Sequence, residues 1–167
     1  MGWSESRVML FPPRWRPRTE EAPRGRTANG APVRLVYSER SESSVGVVVD
    51  PQTVSAWLQE RGFEIRGRFA HHPTLGLEDI ELDLFSTDGE LSHVDLTFSL
   101  SKQSPDRWEA WRSFVTEFCN AWKLELGDTE HDIKVGPGEL FRLLASHPSW
   151  KDFQQAFAWP SAVRTGA

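Results

Sequence analysis

Between Asp79 and Leu100 apolar and polar residues alternate strictly on either side of one turn. The first arm reads Asp79-Ile80-Glu81-Leu82-Asp83-Leu84-Phe85 and the second His93-Val94-Asp95-Leu96-Thr97-Phe98-Ser99-Leu100, with Ser86-Thr87-Asp88-Gly89-Glu90 between them. Successive side chains of a strand point to opposite faces, so this pattern predicts a β-hairpin with one buried and one wet face. Ile80, Leu82, Leu84, Val94, Leu96, Phe98 and Leu100 belong to the buried face. Asp79, Glu81, Asp83, His93, Asp95 and Thr97 belong to the other. A register that keeps the buried face uniform sets Leu84 opposite Val94 and Leu82 opposite Leu96, and it also sets Asp83 against Asp95. A strict two-residue Asp88-Gly89 connection would put Leu82 against Asp95, so the pattern predicts a longer loop or a β-bulge.

The rest of the chain supplies what such a hairpin needs. Ser104-Pro105 opens the longest predicted helix, to about Lys123, in which Trp108, Trp111, Val115, Phe118 and Trp122 recur at three- and four-residue steps, with Phe114 and Cys119 beside them. That spacing is a core stripe rather than a cofactor-stacking set. Cys119 lies within it and reads as a buried, inert thiol. Asp50-Pro51 marks the start of a helix to about Arg61, ended by Gly62. Val33 to Tyr37 and Val45 to Val49 read as strands, and so does Phe63 to Phe69, whose Arg66 and Arg68 would partly neutralise the acidic face. Leu124 to Leu126 reads as a short edge strand. Helices are expected over 139–146 and from Ser149 to about Ala158, stopped by Trp159-Pro160.

The first 31 residues lack any such period. Phe11-Pro12-Pro13-Arg14-Trp15-Arg16-Pro17-Arg18 and Ala22-Pro23-Arg24-Gly25-Arg26 mix proline, glycine and arginine, which reads as a disordered basic tail, or as an arm in which Trp15 stacks on nucleic acid. The expected organisation is a tail over 1–31, a single α+β domain over 32–160 and a frayed end over 161–167. Its fold is an antiparallel sheet with a β-meander, covered on one face by the Trp-rich helix, with further C-terminal helices.

Charge and composition narrow the function. The net charge is −5 and the isoelectric point about 5.6, which argues against a general nucleic-acid or membrane-surface binder. Residues 1–44 hold eight arginines against five glutamates, so the remainder is the more acidic. One cysteine among 167 residues allows no internal disulfide, and no apolar run is long enough for a membrane span. Both point to the cytoplasm. No Gly-x-Ser-x-Gly elbow and no P-loop lysine is present, and the five histidines are scattered, with adjacent His71 and His72 diverging. No cofactor or metal is therefore expected, and no catalytic residue is assigned.

Glu81, Asp83, His93 and Asp95, with Asp79, remain as a candidate partner-binding face. Alternatively, Asp83, Asp95 and His93 could serve a small metal-dependent enzyme or ligand-binding protein. A solvated face balanced by Arg66 and Arg68 is the plain structural reading. With its acidic hairpin 79–100, its Trp108/Trp111 helix and the ending Ser149-Trp150-Lys151-Asp152-Phe153, the chain resembles the small acidic immunity proteins of bacterial toxin systems. That resemblance implies a non-enzymatic α+β domain that neutralises a cognate toxin, here a basic protein met by an acidic surface. It transfers no functional residue.

Overall fold

The computed structural model describes residues 5–41, 46–73, 80–99, 105–129 and 131–144. Its strands are β1 (Glu5–Phe11), β2 (Trp15–Arg26), β3 (Pro32–Arg40), β4 (Glu64–Arg66), β5 (Phe69–His71), β6 (Glu81–Thr87), β7 (Glu90–Ser99), β8 (Glu125–Asp128) and β9 (Ile133–Val135). The helices are α1 (Pro51–Glu60), α2 (Pro105–Trp122) and α3 (Leu140–Leu144). Seven strands form one antiparallel sheet in the order β4-β5-β6-β7-β1-β8-β9, and β2 and β3 pair as a separate two-stranded ribbon. The architecture is the expected α+β one.

The hairpin β6–β7 has the register its pattern demands, with Leu84 opposite Val94, Leu82 opposite Leu96, and Asp83 opposite Asp95. The connection is nevertheless tight. Asp88 and Gly89 both have positive φ, 54° and 82°, between the paired residues Thr87 and Glu90. A bulge between Phe85 and Ser86 reconciles that short turn with the two faces. Ser92 is the extra residue on β7, and its hydroxyl donates to the Phe85 carbonyl at 3.2 Å.

One face of the sheet is closed by α1 and α2. Trp108, Trp111, Val115, Phe118 and Cys119 join Leu82, Leu84, Val94, Leu96 and Phe98 in one core. The Trp111 ring lies 4.1 Å from Phe98 and 4.9 Å from Trp108. Burial pushes the Cys119 thiol up to about 12, in keeping with an inert thiol. Asp50 caps α1 by accepting from the Thr53 backbone N–H at 3.2 Å, and Gly62 takes φ 92° just beyond its end.

Several local expectations are corrected. Residues 5–11 are not part of a tail: β1 is an interior strand, antiparallel to β7 from Glu5↔Ser99 to Leu10↔Val94 and to β8 at Leu10↔Leu126 and Phe11↔Glu125. Val8, Met9, Leu10 and Phe11 are all buried, because this strand is covered on both faces and so shows a continuous apolar run instead of alternation. Nor is 15–31 shapeless. It forms β2 and the turn into β3, whose prolines are tolerated because both strands of a two-stranded ribbon are edges. Val47 and Val48 are exposed and outside any strand, and this segment meets the sheet through Leu91 N–H donating to the Val49 carbonyl. Phe63 to Phe69 is broken at Gly67 (φ 61°) into β4 and β5, which leaves Phe69 exposed. β8 is interior rather than an edge. A 3-10 turn (Pro137–Glu139) precedes the short α3. The helix expected from Ser149, the end 161–167, and Asp79, Leu100 and Ser104 lie outside the described residues.

Candidate functional site

The second face of the sheet carries the candidate residues, in rows fixed by the register. His71, Glu81, Thr97 and Arg7 form one row. Phe69, Asp83, Asp95 and Met9 form the next. In the third row Phe85 lies opposite His93, whose ring also meets Phe11 of β1. The sequence therefore groups Glu81, Asp83, His93 and Asp95 correctly on one face.

That face is not simply wet. The His93 ring is sandwiched between Phe85 at 4.3 Å and Phe11 at 5.7 Å, and His93 is buried. Its Nδ1 has no hydrogen-bond partner among the described residues. Burial, aided by the Arg7 charge, lowers the imidazole to about 4, so it is neutral at pH 7. Its Nε2 lies 3.5 Å from an Asp95 carboxylate oxygen that accepts no hydrogen bond among the described residues. Asp95 is raised by burial. Arg7, 3.5 Å away, works against that rise, Asp83 across the strand adds to it, and Arg68 opposes it.

Arg68 meets Asp83 at 2.7 Å and places its guanidinium 4.8 Å above the Phe85 ring. The like-charged Asp83–Asp95 pair is thus held between two arginines. Arg68 was foreseeable from the sequence. Arg7 was not, because it arrives on a strand hidden in the apparent tail. Arg66 makes no ion pair among the described residues. Asp79 lies outside them, and Glu81 is exposed.

Chemically, the two carboxylates are each engaged by a guanidinium. Among the described residues no group of three or more His, Cys, Asp or Glu side chains is arranged to hold a metal ion. His71 and His72 do diverge. His71 faces Glu64 at 3.7 Å, whereas buried His72 lies 3.0 Å from the Arg61 carbonyl and edge-on to Phe63. A groove of about 680 Å³ lies on the opposite side of the protein, lined by Trp57 and Arg61 of the α1 end and by Glu109, Arg112 and Thr116 of α2. None of the candidate residues lines it.

The ribbon divides the second face in two. Its inner side packs Trp15 and Val36 over Met9 and Phe11. Buried Glu90 clamps its base, with Arg14 at 3.2 Å, Arg40 bonded to the other carboxylate oxygen, and the Arg40 guanidinium 4.7 Å above Trp15. Thr19 donates to the Thr129 carbonyl at 2.8 Å. The half of the face over β5 and β6 is left open. Its most prominent apolar group is Phe69, 51 % exposed, ringed by Arg66, Arg68, Glu81 and Asp83.

Compared with protein-family models, curated proteins and solved structures, the chain matches none. Among the described residues no helix is long and apolar enough to cross a membrane.

Proposed function

We propose that this chain is a non-enzymatic protein-binding domain that docks a protein partner on the open half of its sheet. Its resemblance in style to bacterial immunity proteins makes a cognate toxin, met in the cytoplasm, the partner of choice. The observation that carries the reading is Phe69, a half-exposed aromatic ring at the centre of a face edged by charged groups. A central aromatic anchor inside a charged rim is the arrangement that concentrates binding energy in protein interfaces.

A basic partner suits the rim. Glu81 is exposed and makes no ion pair among the described residues, and Arg7 is 56 % exposed at 3.5 Å from Asp95. Arg7 is the exposed member of a pair whose Asp95 is only 14 % exposed, so an incoming guanidinium has to take over its place beside that carboxylate.

Co-expression with the product of the adjacent gene tests this. Relief of growth arrest by the wild-type chain, lost in Phe69→Ala/Glu81→Lys at unchanged thermal stability, is the expected outcome. Equal relief by the double variant would remove the docking face, and growth arrest that the wild-type chain leaves untouched would remove the immunity reading. Both side chains are exposed, so neither change disturbs the core.

A further inference from the structure

The outer part of the ribbon serves none of the contacts described so far. From Glu20 to Leu35 no residue is buried. Beyond Glu20 and Glu21, of which Glu21 stands opposite Arg34, the stretch from Ala22 to Tyr37 has three arginines, Arg24, Arg26 and Arg34, with no lysine and no carboxylate. Among the described residues Arg24 and Arg34 make no ion pair, and Arg26 bonds only the neighbouring Gly25 carbonyl. Closer to the base, Arg18 is exposed as well. A strand of this length spans about 40 Å. Its base is held by Trp15, Glu90 and Thr129.

We propose that this outer ribbon is a docking element for double-stranded DNA, gripping the phosphate backbone without reading sequence. Three observations select that partner. The cations are all arginines, whose planar forks pair two N–H donors with one phosphate. The element is an isolated two-stranded ribbon, a shape that enters the B-form major groove of about 12 Å, whereas the deep, narrow major groove of A-form RNA excludes it. The tip, Thr27-Ala28-Asn29-Gly30-Ala31, carries no large apolar or aromatic side chain to sink into a bilayer. The chain as a whole is acidic, whereas the stretch of ribbon beyond Glu21 carries arginines alone.

Fluorescence anisotropy of a labelled duplex of about 25 base pairs, titrated with the full chain over a range of salt, tests the proposal. Each neutralised phosphate contributes about −0.9 to the slope of log K against log salt. Arg24, Arg26 and Arg34 together thus give a slope of about −3 and a dissociation constant on the order of 10 µM at low salt. In Arg24→Gln/Arg26→Gln/Arg34→Gln, binding should weaken at least about tenfold and the slope flatten, and in the corresponding triple lysine variant the slope should persist. A duplex RNA of equal length should bind more weakly, and vesicles containing phosphatidylserine should not retain the protein. The proposal is overturned if the duplex does not bind at 100 µM protein on the order of low-salt conditions used for non-specific complexes. It is equally overturned by a glutamine variant that binds as tightly as wild type, by RNA binding as tight as DNA binding, or by stronger retention on the vesicles. Thermal unfolding of both variants at the wild-type midpoint establishes that charge, not folding, was changed.

Discussion

Leu10→Ala measures whether the first strand is structure or appendage. Leu10 is completely buried, faces Val94 of β7 and Leu126 of β8, and belongs to the main core with Trp108 and Phe118. Removing its three outer carbons forfeits their transfer free energy and leaves a cavity that an interior strand, bonded on both sides, cannot collapse. Leu→Ala changes at such sites cost about 2–5 kcal/mol, and full burial places this one near the middle, about 3 kcal/mol. For a chain of this size each kcal/mol moves the midpoint by about 2–4 °C, so a fall of roughly 6–12 °C is expected. The matched control is Leu35→Ala on the outer face of the ribbon. Leu35 is 49 % exposed, and the change there should stay within about 0.5 kcal/mol. Thermal and urea unfolding followed by circular dichroism report both variants. Deletion of residues 1–13 is the extreme case. It removes Val8, Met9, Leu10 and Phe11, each contributing about 1.5–3 kcal/mol, which together approach the entire stability of an ordinary domain. Equal midpoints for Leu10→Ala and Leu35→Ala, or a cooperative melt at the wild-type temperature after the deletion, would refute the interior placement of β1.

Two further outcomes follow from close packing on the second face. His93 is lowered to about 4, below its unfolded value of about 6.5. Its stabilising contribution is therefore complete above the unfolded value and is lost as pH falls through this window, because the unfolded chain binds the proton first. The loss is on the order of 2 kcal/mol after solvent screening. Asp95 is raised by burial, so its own protonation favours the folded state as pH falls and opposes part of the loss. Urea midpoints measured from pH 7 to 4 should fall more steeply for wild type than for His93→Gln, and parallel curves would sink the assignment. Gly127→Ala places a Cβ in collision with the ring of fully buried Phe11. Overpacking of this kind costs about 1–3 kcal/mol, and an unchanged unfolding midpoint would show that the ring yields.

How much of this was legible depended on whether a strand has one buried face or two. The hairpin β6–β7 announced its register because Leu82, Leu84, Val94 and Leu96 alternate with charged or polar neighbours, and the helical spacing of Trp108, Trp111, Val115 and Phe118 announced α2. β1 was hidden for the converse reason: Val8, Met9, Leu10 and Phe11 are covered on both sides, and a short apolar run before two prolines carries no period. The ribbon was hidden because Pro17 and Pro23 read as breakers, although an edge strand accommodates them. The candidate carboxylates were located, but their environment was not. Arg7 beside Asp95 and Phe11 against His93 come from about 85 residues away in sequence, and no local pattern encodes such a long-range pairing.

The same hidden strand explains why one face of the sheet presents two different surfaces. Alternate residues of β1 reach that face: Arg7 stands beside Asp95 on the open half, while Met9 and Phe11 lie beneath Trp15 of the ribbon. Glu90 then fixes the ribbon to the start of β7, the strand that continues through His93 and Asp95. Breaking a buried ion pair leaves an uncompensated charge and costs about 3–5 kcal/mol, less here because Arg14 and Arg40 retain 23 % and 35 % exposure. The clamp therefore holds the base of the ribbon in place, while no residue from Glu20 to Leu35 is buried. A basic ribbon and an acidic domain in one chain would otherwise attract each other and collapse. Arg14 and Arg40 pair with Glu90, and Arg7 and Arg68 with Asp95 and Asp83, so each of those carboxylates has a cation of the same chain beside it. Arg24, Arg26 and Arg34 are left for an outside anion, and Phe69 for a partner on the open half.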